Sequence, residues 1–388
     1  WGVSTPLSID SRLSSDTFAL RSSSTPPSTR QRTFFPAFNP VTMPYPLSGY
    51  DSQQGRRFSM EDTHMAIDDI LHADLSEDTN PYGDFPSEPV AAAVAASPHP
   101  RIAFYGVYDG HGGIEAAVKA ETFLHADLVK EPDFAAALAD VPAFEKDGEG
   151  GGGDEGNEYT KAVLEVIRKT YLAVDAKLNE HAKREGWTSG CTCVSLLYQG
   201  PEVVERVGED EKPTKGHAYV ANCGDAEVVI GRRDPEDGEI EGIVLSRKHN
   251  PLDEDEVQRI RDAGGFVIMG RVMGSLAVTR SFGDRLFKMP YNDATGDFVS
   301  AEPFLAHYEV DLTTDEFIIV ACDGLWDRLT YQEAALFVEK QRSQGKSPTE
   351  CAKALVKESL DCGTLDNVTA IVVYLTPPKG AAEKTSED

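Results

Sequence analysis

Three apolar, β-prone runs in this chain each end at an aspartate. Phe104 to Tyr108 runs into Asp109, Tyr219 to Cys223 into Gly224 and Asp225, and Phe317 to Cys322 into Asp323. A fourth aspartate, Asp366, immediately precedes another such run, and Glu61 and Asp62 lie in RRFSMEDTH. Acids at strand ends can converge on one pocket however far apart they lie in sequence. A pocket holding that many carboxylates repels itself unless cations sit in it. Hard oxygen donors without a Cys or His cluster point to Mg²⁺ or Mn²⁺ rather than zinc.

Length and composition narrow the setting. A chain of 388 residues can hold one large domain or two small ones. Its formal charge of −28 argues against nonspecific partnership with nucleic acid or an anionic membrane surface. No apolar run reaches the length of a membrane span. The six cysteines form no CxxC pair, and Cys191, Cys193, Cys223 and Cys322 lie in expected buried strands, where a thiol acts as a small hydrophobe. This favours a reducing intracellular compartment, cytoplasmic or nuclear. The Ser- and Arg-rich, acid-poor first forty residues also resemble a mitochondrial transit peptide, which keeps a mitochondrial location as the alternative.

Residues 1–46 form a Ser/Thr/Pro-rich segment expected to be partly disordered, and 377–388 a polar tail. Between them the signals are globular. Residues 73–100 read as a loop between two strands, 145–158 as a Gly/acid linker and 200–216 as a polar insertion. Helical spacing marks 113–129, 159–184, 331–344 and 348–360, and another helix starts after Pro251. Strands are expected at 191–198, 218–223, 227–231, 317–321 and 368–375, with 218–223 and 227–231 paired around the turn at Gly224 and Asp225. Strands and helices do not alternate regularly. That argues for an α+β class with mostly antiparallel sheets and helices packed outside.

Seven segments carry a resemblance. RRFSMEDTH, YGVYDGHGG, TSGCTC, ANCGDAEVV, RVMGSLAVTRSFGD, VACDGLWD and DNVTAIVV resemble, in order, the motifs of the metal-dependent type 2C (PPM) serine/threonine protein phosphatases. They cover roughly residues 48 to 376. The resemblance implies a four-layer α/β/β/α sandwich, two central antiparallel sheets flanked by antiparallel helices, as a catalytic domain over 47–376. It implies hydrolysis of phosphoserine and phosphothreonine in phosphorylated proteins by a water or hydroxide bridging two Mg²⁺ or Mn²⁺ ions. Asp109 would bridge both metals; Glu61 and the Gly110 carbonyl would complete one, and Asp323 and Asp366 would hold the other. A third ion at Asp225 stays open, and the chain is expected to be a monomer.

Individual side chains add detail. Arg57 suits two phosphate oxygens at once, whereas neighbouring Arg56 reads as surface. His111, two residues after Asp109, suits proton donation to the departing alkoxide. Asp62 reads as a residue behind the ligands that orients metal-bound water or His111. Asp284 reads as a turn residue, and His64 and His249 as peripheral. Substrate choice is expected to depend on the flap after His249 and on the three insertions. Two alternatives stay open: a catalytically inactive regulatory module, and a hydrolase of small phosphorylated metabolites.

Overall fold

The computed structural model describes residues 46–70, 102–139, 158–201, 215–292 and 294–378. The expected N-terminal segment, the loop at 73–100 and most of 145–158 and 200–216 lie outside them, as does most of the C-terminal tail. Side-chain alternation along the strands sets the layers. In β3 (Ile102–His111), Ile102, Phe104 and Tyr108 enter one hydrophobic core, and Ala103, Tyr105 and Val107 a second. In β12 (Asp315–Ala321), Ile318 and Val320 face that second core, and Phe317, Ile319 and Ala321 a third. The central strands are therefore apolar on both faces, which explains their continuous hydrophobic runs.

Two antiparallel sheets meet at the second core. One has the order β1 (Leu47–Gln53), β13 (Val368–Tyr374), β12, β6 (Glu227–Arg233), β7 (Ile240–Val244). The other has the order β11 (Phe304–Asp311), β5 (Lys215–Cys223), β4 (Gly190–Gln199), β3, β2 (Thr63–Ile67), and β10 (Phe282–Gly283) adds to β4. Helices α1 (Glu115–Lys130), α2 (Phe134–Ala139) and α3 (Glu158–Glu185) belong to the first core, against the six-stranded sheet. Helices α6 (Tyr331–Arg342) and α7 (Pro348–Asp361) belong to the third, against the five-stranded sheet. The result is the expected four-layer α+β sandwich.

Capping boxes start α6 and α7: Thr330 with Glu333, and Ser347 with Glu350 followed by Pro348. Each such cap is worth about 1 kcal/mol. Between β7 and β11 lies a flap with its own small core around Ile260, Val272 and Phe298. It contains α4 (Glu254–Asp262) and the two-residue strands β8 (Val267–Ile268) and β9 (Arg271–Val272). The short helix α5 (Asp323–Trp326) follows β12 directly. Among the described residues no helix is long and apolar enough to cross a membrane.

One sequence expectation is corrected. Strands β5 and β6 are not a hairpin: β5 pairs with β4 and β11, and β6 with β12 and β7, in the opposite sheet. Gly224 and Asp225 carry the chain from one sheet to the other. Local pattern cannot tell a tight hairpin from a tight sheet crossing, because both need a glycine-bearing turn. The first helix also begins two residues later than its spacing suggests, after Gly112 and Gly113 at positive φ.

Glu121 on α1 is a buried acid in the helix-facing layer. Burial raises its carboxyl from the ordinary 4.5 to about 7, partly offset by a hydrogen bond from Thr63. A raised carboxyl leaves folding unpenalised below about pH 4.5. The cost grows as pH rises through 7, to about 3 kcal/mol. Glu121→Gln is expected to raise the Tm clearly at pH 8 and hardly at pH 5; thermal unfolding at both pH values in chelator checks this.

Candidate active site

The strand ends that carry acids lie at one end of the sandwich. Odd-numbered residues of β3 face the inter-sheet core, so Asp109 continues that face where the apolar run stops. Cys322 continues the same face of β12, and Thr369 that of β13. The registers align these termini: Asp109 sits opposite Thr192 near the start of β4, and Ala321 at the end of β12 sits opposite Ala370 and Glu227. The sheet crossing brings in Asp225.

Asp62, Asp109 and Cys322 each place a ligand atom within 4.8 Å of the others. Asp62 is buried and accepts a hydrogen bond from Thr369 Oγ1 at 2.8 Å. Burial pushes its carboxyl up to about 6, with Asp323 adding to the push. Asp109 is raised well above the carboxylate range, first by burial and then by Asp62, Asp323 and Asp225, and it hydrogen-bonds to Asp323. Asp225 rises to about 7 through burial and Asp323. Asp323 is raised by burial, Asp366 and Asp327. These shifts share one cause: anions in a pocket where water cannot screen them. Such a pocket of oxygen donors fits a hard divalent cation. Cys322, read from sequence as a plain hydrophobe, faces this cluster. Burial and the neighbouring acids push its thiol well up, so it stays neutral.

Glu61 rests on Gly110. A Cβ at Gly110 would lie 2.4 Å from the Glu61 carbonyl oxygen, so only glycine permits the contact. Asn367, a residue that sequence reasoning missed, fixes this loop. Its Oδ1 accepts from Glu61 N at 2.8 Å, and its Nδ2 donates to the Gln54 and Ser59 carbonyls at 2.7 and 3.0 Å. Arg57 Nη2 donates to Asp366 Oδ2 at 2.5 Å. Two residues 309 positions apart thus meet at the rim.

His111 is held by Asp284, not by Asp62: its Nε2 lies 2.7 Å from Asp284 Oδ2. Burial lowers the imidazole pKa, but Asp284, Asp225 and Glu61 outweigh it and the net shift is upward. Asp284 Oδ2 also accepts from Ser281 Oγ at 2.5 Å, and Asp284 takes a left-handed φ of 50°. Lys288 Nζ and Gly283 N both donate to Asp175 Oδ1 on α3, at 2.7 and 2.8 Å, which anchors the segment around Asp284. A Cβ on Gly190 would lie 2.1 Å from Asp284 Oδ2 and 2.6 Å from His111 Nε2. The glycine of TSGCTC therefore makes room for this pair. The motif spacing contained Asp284 but gave no sign of its partner.

The remaining sequence candidates fall apart from the cluster. His64 Nδ1 lies 3.3 Å from Ser52 Oγ, and its ring packs on Tyr50 at 4.0 Å; burial lowers its pKa to about 4. His249 is buried under the Asp225 turn, and Arg56 is exposed.

A family profile for protein phosphatase 2C matches residues 48–368. The chain belongs to the protein phosphatase 2C family. Metal-dependent protein phosphatase activity is the family's function, and the chain is a protein phosphatase by membership. It is 34% identical over 275 residues to protein phosphatase 2C homolog 1 of Saccharomyces cerevisiae, covering 70% of this chain and 82% of the yeast protein. It is also 34% identical over 334 residues to protein spalten of Dictyostelium discoideum; the match takes in 84% of this chain but spans only 28% of spalten's length. The solved structure of a serine-threonine phosphatase 2C from Toxoplasma gondii shares the fold, with a TM-score of 0.61 and 18% identity over 85% of this chain and 98% of that one. The solved C. elegans sex determining protein superposes at a TM-score of 0.60 and 23% identity, covering 87% of this chain and 66% of its own.

Asp109→Asn is expected to keep the fold in chelator, because it removes a buried acid that its neighbours already repel. It is expected to abolish tight divalent-ion binding. Calorimetric Mn²⁺ titration beside thermal unfolding in chelator checks both halves.

Proposed function

We propose that this chain hydrolyses phosphoserine and phosphothreonine in proteins by direct attack of water on phosphorus. The carrying observation is the convergence of Asp62, Asp109, Asp225 and Asp323 at strand ends from both sheets, with Arg57 and His111 beside them. Glu61, Asp109, Asp323 and Asp366, with the Gly110 carbonyl, would hold two ions, Mg²⁺ or Mn²⁺; Asp225 is the candidate for a third. When bound, such ions acidify water and offset charge on the phosphoryl oxygens.

The rest falls to the protein's own groups. The Arg57 bond to Asp366 uses one hydrogen of Nη2, so the other Nη2 hydrogen and the nitrogen beside it can still receive two oxygens of a phosphate dianion. Asp366 keeps the guanidinium aimed at the site. Asp284 occupies His111 Nε2, so Nδ1 is the nitrogen that gives its proton to the departing Ser or Thr oxygen. Asp62, tied to Thr369, braces Asp109 from behind. No activated thiol competes for the nucleophile's role. Burial raises Cys191 and Cys193 well out of range and Cys223 to about 12, and Cys362 is exposed with no phosphate loop around it.

In the same reading, residues 47–376 are the catalytic domain, with 1–46 and 377–388 as flanking segments. The protein works as a monomer on phosphorylated protein substrates. Six free thiols suit a reducing, intracellular setting.

Phosphate release from a phosphothreonine peptide is the direct test. Turnover is expected to vanish in chelator and return with Mg²⁺ or Mn²⁺. In isotopically labelled water a single turnover should put the label in phosphate. Full turnover by metal-free protein, or a trapped phosphoenzyme, would overturn the reading.

His111→Ala is expected to slow phosphoserine peptides about 100-fold and aryl phosphates only a few-fold, since an aryl oxide leaves without a proton. Asp284→Ala is expected to shift the two rates in the same direction by a smaller factor. Parallel kcat measurements on both substrate classes check this; equal loss on both would assign the pair to another task.

A further inference from the structure

The Asp225 side of the cluster is stitched to a segment that carries a cation. Asn222 Nδ2 donates to the Arg247 carbonyl at 2.6 Å, and Arg247 N donates back to Asn222 Oδ1 at 3.2 Å. His249 N donates to the Gly224 carbonyl at 2.8 Å, and Gly224 N donates to His249 Nδ1 at 3.3 Å. Asn222 and His249 are 0% and 1% exposed. Residues 247 and 249 are thereby fixed to the turn that presents Asp225, and Lys248 lies between the two attachments.

The Lys248 side chain is 31% exposed, with Nζ 3.7 Å from Asp327 Oδ1. Burial would lower its pKa, but Asp225, Asp327, Glu227 and Asp323 together raise it, so the ammonium is firmly charged. The influence is mutual: Lys248 is the charged group that most holds down the Asp225 carboxyl against burial and Asp323. Asp327 is 60% exposed and sits one helical turn after Asp323. It is the partner nearest the Lys248 ammonium, and its charge also acts on Asp225 and Asp323. A compact ammonium on a four-carbon stem can shift between such partners.

We propose that Lys248 is a tethered cation that competes with a divalent ion for the Asp225 edge of the site. The inference rests on the metal-binding reading above and concerns only that edge. With Lys248 turned toward Asp225, a third ion meets a resident positive charge and one carboxylate already neutralised. Asp327 also acts on the Asp225 and Asp323 carboxyls, so Lys248 beside Asp327 still holds its charge at this edge. Asp323 also feels Lys248, but among the acids acting on Lys248 it ranks behind Asp225, Asp327 and Glu227, so the larger effect falls on the third position. Lys248 therefore sets how much free metal the third position needs.

The test is calorimetric titration of the chelator-treated 388-residue chain with Mn²⁺, without substrate, near neutral pH. Lys248→Met removes the charge and keeps the bulk; Lys248→Gln serves if the methionine variant does not fold. The expected result is a weakest Mn²⁺ class about tenfold tighter than in the unsubstituted chain, as loss of one nearby like charge requires. Lys248→Arg should leave the isotherm unchanged. The gain should disappear in Lys248→Met combined with Asp225→Asn. An isotherm for Lys248→Met that superposes on the unsubstituted chain overturns the proposal, even if its Tm falls through loss of the Asp327 contact. A gain that survives Asp225→Asn also overturns it. If the unsubstituted chain binds no Mn²⁺ tightly, the metal-binding reading falls and this proposal with it; tight binding without the Lys248 effect removes this proposal alone.

Discussion

Mutual repulsion among buried carboxylates is the constraint on which the rest of this structure turns. Asp62, Asp109, Asp225 and Asp323 are all driven upward by burial and by one another. No local sequence preference would gather them. They are held together because each terminates or adjoins a strand whose apolar residues are committed to a core. The second core contributes Val107, Val320 and Ile371 from three strands, and their neighbours Asp109, Cys322 and Thr369 follow by alternation. Apolar burial, at about 25 cal/mol per Å², supplies the free energy that confines the charges. A divalent cation held among them would recover part of what the confinement costs.

Around the acids, the supporting contacts are short and specific. Asn367 ties the loop carrying Arg57 and Glu61 to the start of β13. Asp175 on α3 secures the backbone beside Asp284, and Asp284 in turn secures His111. The imidazole is therefore set by a chain of buried polar contacts that begins on a helix of the outer layer. Arg57 and Asp366 form an ion pair at the rim. Two oppositely charged groups from opposite ends of the sequence are thus kept in place by mutual charge.

Much of this was legible in the sequence, and for identifiable reasons. The runs ending at Asp109 and Asp323 stood out because strands covered on both faces are continuously apolar, and the acids break that continuity. The paired outer helices stood out through their spacing. Other parts were hidden. The strand β11, with its half-buried LAHYEV pattern, lacks a strong apolar run. The crossing at Gly224 and Asp225 looks like a hairpin in one dimension. Asp284 reads as a turn acid because its partner His111 is 173 positions away. Asn367 and Cys322 look like ordinary polar and apolar fillers until β12 and β13 are set side by side.

The strand directions separate the two ends of the sandwich. The chain enters the segment at 71–101 after Ile70 and returns from it at Ile102, the end of β3 opposite Asp109. The segment at 202–214 departs beyond Gln199 and rejoins at Lys215, again at the far ends of β4 and β5. With ten residues in β4, those attachment points are about 30 Å from the Gly190 end. The sequence had suggested that these acid-rich insertions bear on substrate choice. Their anchorages lie at the pole opposite the acid cluster. A scaffold polarised in this way can take on length and charge at one end without disturbing the packing that gathers the acids at the other.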